Sequence, residues 1–170
     1  MDVMTAMQKR KSVRKYLPKE VEDAALAQVL EAARLTPSRH NDQNIRVIIV
    51  RDPAAKREIC QKADTQPMVS EADVLLVLCS TDKTDFIMPC GQPGYVVDMA
   101  LATGFMLLAA TEQGLDTCIV CAFKEDAVKK ILAVPDEARI ISMIVMGYED
   151  GEAPYREKKT LSEIVAWEKF

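Results

Sequence analysis

Residues 95–113 spell a long helix that is apolar on nearly every side, interrupted by Asp98. A helix apolar all round must be buried, either in a large core or between subunits. The chain has 170 residues, which leaves little room to surround such a helix, so it is expected at a dimer interface. Ala100, Ala102, Gly104, Ala109 and Ala110 would let a second helix approach closely. Gly114 follows as a natural C-terminal stop. The apolar run itself, 95–110, is shorter than the about 20 residues that a bilayer requires, so no membrane span is expected.

The other segments alternate around this helix. Residues 2–9 suit a short helix, and 9–15 form a basic loop. Val21, Ala24, Ala25, Val29, Leu30 and Ala33 fall at helical spacing over 21–34. Thr36-Pro37-Ser38 ends that helix and opens a polar loop. Residues 45–50 predict a strand, 54–62 a helix, and 73–80 a strand whose unbroken apolar run implies cover on both faces. An extended segment is expected at 117–120, a helix at 125–132, a buried strand at 140–146, and a last short helix near 161–167. With no linker or repeat, the chain is expected to form a single domain, 1–170, with one sheet and helices on both faces.

Charge and cysteine usage narrow the function classes. The net charge of −4 argues against general binding to nucleic acid or anionic membranes. The start of the chain lacks the basic-then-apolar pattern of a secretory signal. The five scattered cysteines are then expected as reduced thiols in the cytoplasm.

Three segments carry candidate chemistry. Five of the seven residues from Lys9 to Lys15 are cationic. An anion held by arginine forks and the Ser12 hydroxyl would offset their repulsion; a solvated basic loop would account for the same run. The loop 36–44 is dense in hydrogen-bonding side chains and leads into a buried strand, where sites and ordinary turns both occur. Cys118 and Cys121 form a C-x-x-C pair, but an extended backbone would point them to opposite faces, and no second ligand pair or histidine partner lies nearby. His40 lacks a nucleophile to serve, and no glycine-rich dinucleotide or phosphate loop is present.

The order of these segments resembles the FMN-dependent nitroreductase family over nearly the whole chain. The R-x-S-x-R/K opening appears as Arg10-Lys11-Ser12-Val13-Arg14. The A-P-S-x-x-N-x-Q-P-W loop appears as Thr36-Pro37-Ser38-Arg39-His40-Asn41-Asp42-Gln43-Asn44-Ile45. The long helix leads to Gly114-Leu115-Asp116-Thr117-Cys118-Ile119-Val120-Cys121, where the family has G-L-G-T-C-W-I-G. The closing motifs appear as Gly147-Tyr148, Arg156-Glu157-Lys158 and Thr160-Leu161-Ser162-Glu163-Ile164.

The resemblance implies an α+β, three-layer α/β/α fold with a central mixed sheet, in an intertwined homodimer. It implies FMN at the subunit interface, with Arg10, Lys11, Ser12, Arg156 and Lys158 around the phosphate and ribityl chain and Arg14 near the N1–C2 edge, where it tunes the flavin. Pro37, Ser38, Arg39 and Asn41 would come from the other subunit, Gln66 would reach the pyrimidine edge, and the backbone of Cys118, Ile119 and Val120 would line one flavin face. NADH or NADPH would be the donor, and a nitroaromatic, quinone or similar small molecule the acceptor, in a ping-pong cycle. No protein nucleophile, base or metal is needed, since the flavin N5 carries the chemistry. Ile45, Ile119 and Cys121 depart from the family pattern, so an FMN storage or sensor protein with little turnover is the alternative. The short 81–93 region implies an open site with broad acceptor use.

Overall fold

The computed structural model describes residues 1–81, 86–154 and 156–170. The expectation for the 81–93 region therefore falls partly outside the described residues. The elements are α1 (Val3–Lys9), α2 (Asp23–Arg34), a 3-10 turn (Arg39–Asn41), β1 (Ile45–Val50), α3 (Pro53–Lys62), α4 (Met68–Glu71), β2 (Val74–Ser80), α5 (Gly94–Glu112), β3 (Asp116–Val120), α6 (Glu125–Leu132), β4 (Arg139–Gly147) and α7 (Leu161–Ile164).

The four strands lie in the order β1-β2-β4-β3. Side chains alternate across the two central strands and divide the core into two layers. Leu75, Val77, Met143 and Val145 pack with Ile59 of α3, Met68 of α4 and Val128 of α6. Leu76, Leu78, Ile144 and Met146 pack with Leu26 and Val29 of α2 and Ala102 and Met106 of α5. This is the expected three-layer α/β/α arrangement.

The expectation of a mixed sheet needs correction. All three strand pairs are antiparallel, and the only parallel pairing among the described residues is the isolated bridge between Ser12 and Thr117. The cause is an insertion: β2 and β3 run the same way on either side of α5, but β4 enters between them and pairs antiparallel with both.

The all-round apolar character of α5 resolves into two faces. Met99, Ala102, Thr103, Met106 and Ala110 are buried against the sheet and α2, and the Thr103 hydroxyl meets that of Ser142 at 2.8 Å. Val97, Leu101 and Phe105, spaced four apart, are each about 40 % exposed (44 %, 41 % and 41 %). The helix, at 19 residues, is longer than the apolar run and by length and composition alone could cross a membrane. Its packing within the protein identifies it as a core helix with one apolar face uncovered.

Polar contacts fasten the layers. Glu125, in the first turn of α6, accepts the Ile140 N–H at 2.8 Å and Arg139 Nε at 3.0 Å. Burial raises the Glu125 carboxyl, but Arg139, the Ile140 amide and Lys129 outweigh this and hold it below its usual 4.5. A carboxyl depressed in the fold contributes stability above its unfolded value and loses it as pH falls through the folded one. Glu125→Gln is expected to lower unfolding free energy at neutral pH by about 1–3 kcal/mol. Urea titrations of both proteins should show the gap close as pH falls below 4.5; a gap independent of pH would contradict the ionic role.

Candidate functional site

The basic loop is built into the fold rather than left in solvent. Val13 is 1 % exposed in the core and its N–H donates to the Thr117 carbonyl at 2.9 Å. With the Ser12–Thr117 bridge, this lays residues 12–13 along β3, an edge strand. Val13 points inward, so its neighbours Ser12 and Arg14 point outward by strand alternation.

The C-terminal segment closes over the same place. Leu17 N–H donates to the Tyr148 carbonyl at 2.8 Å and Asp150 N–H to the Lys15 carbonyl at 3.0 Å. The outcome is a cavity of about 150 Å³ lined by Arg10, Lys11, Ser12, Arg14, Pro154, Arg156 and Lys158. Lys11 is in an ion pair with Glu149 at 2.6 Å. Among the described residues, Arg10, Arg14, Arg156 and Lys158 pair with no carboxylate. Four cations with no carboxylate partner among the described residues and a hydroxyl thus surround one small cavity, a cradle with a donor set whose chemistry suits a multiply charged anion such as a phosphate.

Arg14 also borders a neighbouring open cavity with Gln66, Tyr16 and Met68. Gln66 is thus adjacent to the cradle, and its carbonyl lies 3.5 Å from Cys60 Sγ. Of the β3 residues, Cys118 and Val120 are buried and Ile119 is exposed. Burial pushes up the thiols of Cys118 and Cys121, which opposes the thiolate form that metal or dithiol chemistry uses.

Pro37, Ser38, Arg39 and Asn41 are not brought to this cradle. Their loop leads into β1, at the opposite edge of the sheet from β3. Three strand spacings separate the edges, about 14 Å. The loop is strained: His40, Asn41 and Gln43 have φ of 49°, 61° and 54°, and such backbone clusters at functional sites. Asp98 holds it, accepting Arg39 N–H at 3.2 Å. The Arg39 guanidinium lies 3.9 Å from the Phe86 ring centroid and 3.0 Å from Asp42. Pro37 and Ser38 border an apolar cavity of about 310 Å³ between α2, α5 and β1.

Sequence reasoning missed Glu149, Asp98 and Phe86. Asp98 had a signal, as the lone carboxylate in an apolar run; the other two act through distant partners.

A family model described as "Putative TM nitroreductase" matches residues 2–169. Among curated proteins, one named NADH dehydrogenase from Thermus thermophilus is 30% identical, over 98% of this chain and 96% of its own length. An FMN reductase [NAD(P)H] from Bacillus subtilis is 28% identical over 86% of this chain and 66% of its own length. A crystal structure of a nitroreductase family protein from Clostridium difficile superposes with a TM-score of 0.86 at 30% identity, covering 100% of both chains. With a match along nearly the entire sequence and the same fold, this chain belongs to the nitroreductase family.

Proposed function

We propose that this chain is an NAD(P)H-dependent flavin oxidoreductase that binds FMN and passes electrons from NADH or NADPH to a nitroaromatic, quinone or similar acceptor in a ping-pong cycle. The observation that carries this reading is the cradle of Arg10, Ser12, Arg14, Arg156 and Lys158, whose cations face one cavity without carboxylate partners among the described residues. That donor set fits the dianionic phosphate of FMN. The relatives' names, an NADH dehydrogenase and an FMN reductase [NAD(P)H], support the same cofactor and donors.

FMN, when bound, supplies the two-electron chemistry, and the protein supplies position and charge. Arg10, Ser12, Arg156 and Lys158 bind the phosphate end. Arg14 borders both the cradle and the cavity beside Gln66, so its charge sits where the ring edge would follow. The backbone of Cys118, Ile119 and Val120 forms a wall. Pro37, Ser38, Arg39 and Asn41 reach the site from a second copy, because one chain holds them at the far edge of its sheet. The exposed stripe of α5 supplies the contact between copies. The homodimer acts on small molecules in the cytoplasm, not on nucleic acid or membrane.

Arg14→Ala is expected to weaken FMN binding and lower the midpoint potential of the bound flavin by on the order of 30 mV, because a cation stabilises the negative charge that reduction brings. Spectroelectrochemical titration reads the potential. An unchanged value would defeat the assignment of Arg14.

A further inference from the structure

We infer that Glu149 is the positioning residue of the phosphate cradle: it ties the C-terminal cations into place and commits Lys11 to that tie rather than to the anion. This rests on the reading that the cradle receives the phosphate of FMN.

Glu149 is held from several directions. Its N–H donates to Asp116 Oδ2 at 2.9 Å, and its backbone bridges to Tyr16. One carboxylate oxygen accepts Lys11 Nζ at 2.6 Å, and the other accepts the N–H of Ala153. The second contact closes a small loop on itself. Gly151 makes that reversal possible with φ of +95°, a conformation that side-chain-bearing residues adopt at a cost. Pro154 then follows directly as part of the cradle wall, and Arg156 and Lys158 lie beyond it. The Glu149 carboxylate is thus the joint between the 10–14 segment and the segment carrying the C-terminal cations.

The pair is sheltered enough to matter, with side-chain exposures of 27 % for Lys11 and 16 % for Glu149. Fully exposed pairs contribute little. Burial raises the Glu149 carboxyl, but Lys11 and the Ala153 amide more than offset that and hold it below its usual value. The hydrogen bond to Glu149 raises the Lys11 ammonium in turn. Each partner stabilises the charged form of the other, so Lys11 is, among the described residues, the one cradle cation already paired with a carboxylate.

The test compares FMN with riboflavin, which lacks the phosphate. Binding of both is measured by flavin fluorescence quenching for the parent, Glu149→Ala, Lys11→Met and the double variant. Glu149→Ala is expected to weaken FMN about tenfold, as for the loss of one charged hydrogen bond, and to leave riboflavin unchanged. A general loosening of the fold would weaken both ligands. Lys11→Met, which leaves the Ala153 contact in place, should lower the FMN-to-riboflavin preference in the same direction. The double variant should be no weaker than Glu149→Ala. Losses that add would make Lys11 a direct phosphate ligand and overturn the inference. Trypsin supplies a readout without ligand: cleavage after Arg156 and Lys158 should be faster in Glu149→Ala than in the parent. If the parent binds FMN but the variants keep its preference for FMN and its cleavage rate, this inference alone fails. If the parent binds no FMN, the cofactor reading fails with it.

Discussion

Replacing Phe105 with glutamate is expected to give a folded 18.9 kDa monomer that no longer retains FMN. Phe105 lies on the uncovered face of α5, 41 % exposed and in line with Leu101 and Val97. In the proposed dimer, with this stripe on the two-fold axis, the stripe would meet itself, so one substitution would bury two carboxylates in an apolar contact. Unpaired charge there costs several kcal/mol, enough to dissociate an interface of ordinary strength. FMN binding should fall with it, by about 100-fold or more, because in the proposed dimer Ser38, Arg39 and Asn41 would come from the second copy. Size exclusion with light scattering and a flavin titration on the same sample read both effects. A variant that stays dimeric and yellow would show that copies meet elsewhere. A parent protein that is monomeric and binds FMN fully would remove the shared-site account altogether.

Leu76→Ala should unfold far more easily than the parent, by about 2–5 kcal/mol. Leu76 is fully buried in a central strand and packs in the layer formed with α2 and α5. Truncation leaves a cavity that a strand bonded on both sides cannot collapse to fill. Ile49 gives the internal comparison. It is the register partner of Leu76 on β1, but it sits on an edge strand and is 43 % exposed. Ile49→Ala should cost a small fraction of the Leu76 effect. Urea denaturation of the two variants decides this; equal losses would mean that the β1 edge is buried in the working assembly.

What could be read from the sequence follows from how local each cause is. The strands 74–80 and 139–147 were legible because a strand covered on both faces needs a near-continuous apolar run: residues 74–79 are apolar without a break, and in 140–146 Ser142 alone interrupts, its hydroxyl paired with that of Thr103. The helix α5 was legible from the length of a segment that is apolar on nearly every side, and its uncovered face accounts for the excess of apolar residues. The four-residue α4 was missed, since so short a helix has no period to detect; Pro67 at its start is the only local mark. The last helix was expected to reach 167 and stops at Ile164. Short helices depend on tertiary packing, and Leu161, Ile164 and Trp167 are 76 %, 64 % and 88 % exposed. The strand order was illegible because the entry of β4 between β2 and β3 is decided by contacts remote in sequence.

The site divides in the same way. The cations of the 10–14 loop and those at 156 and 158 are visible as residue types, and the family resemblance placed them together. Which cations remain available to an anion depends on Glu149, whose contact with Lys11 spans almost the full chain. The separation of the 37–41 loop from the cradle is likewise a property of strand order. It turns a list of site residues into an argument for two chains.

The central claim is that this protein is an FMN oxidoreductase fed by a nicotinamide donor. The most direct test is the visible spectrum of the purified full chain after addition of FMN and desalting, followed anaerobically by NADH or NADPH and then by a quinone. The account predicts that flavin absorbance is retained, bleaches with at least one donor and returns with the acceptor. A colourless protein would contradict it, and a yellow protein that neither donor bleaches would make this chain a flavin carrier rather than an enzyme.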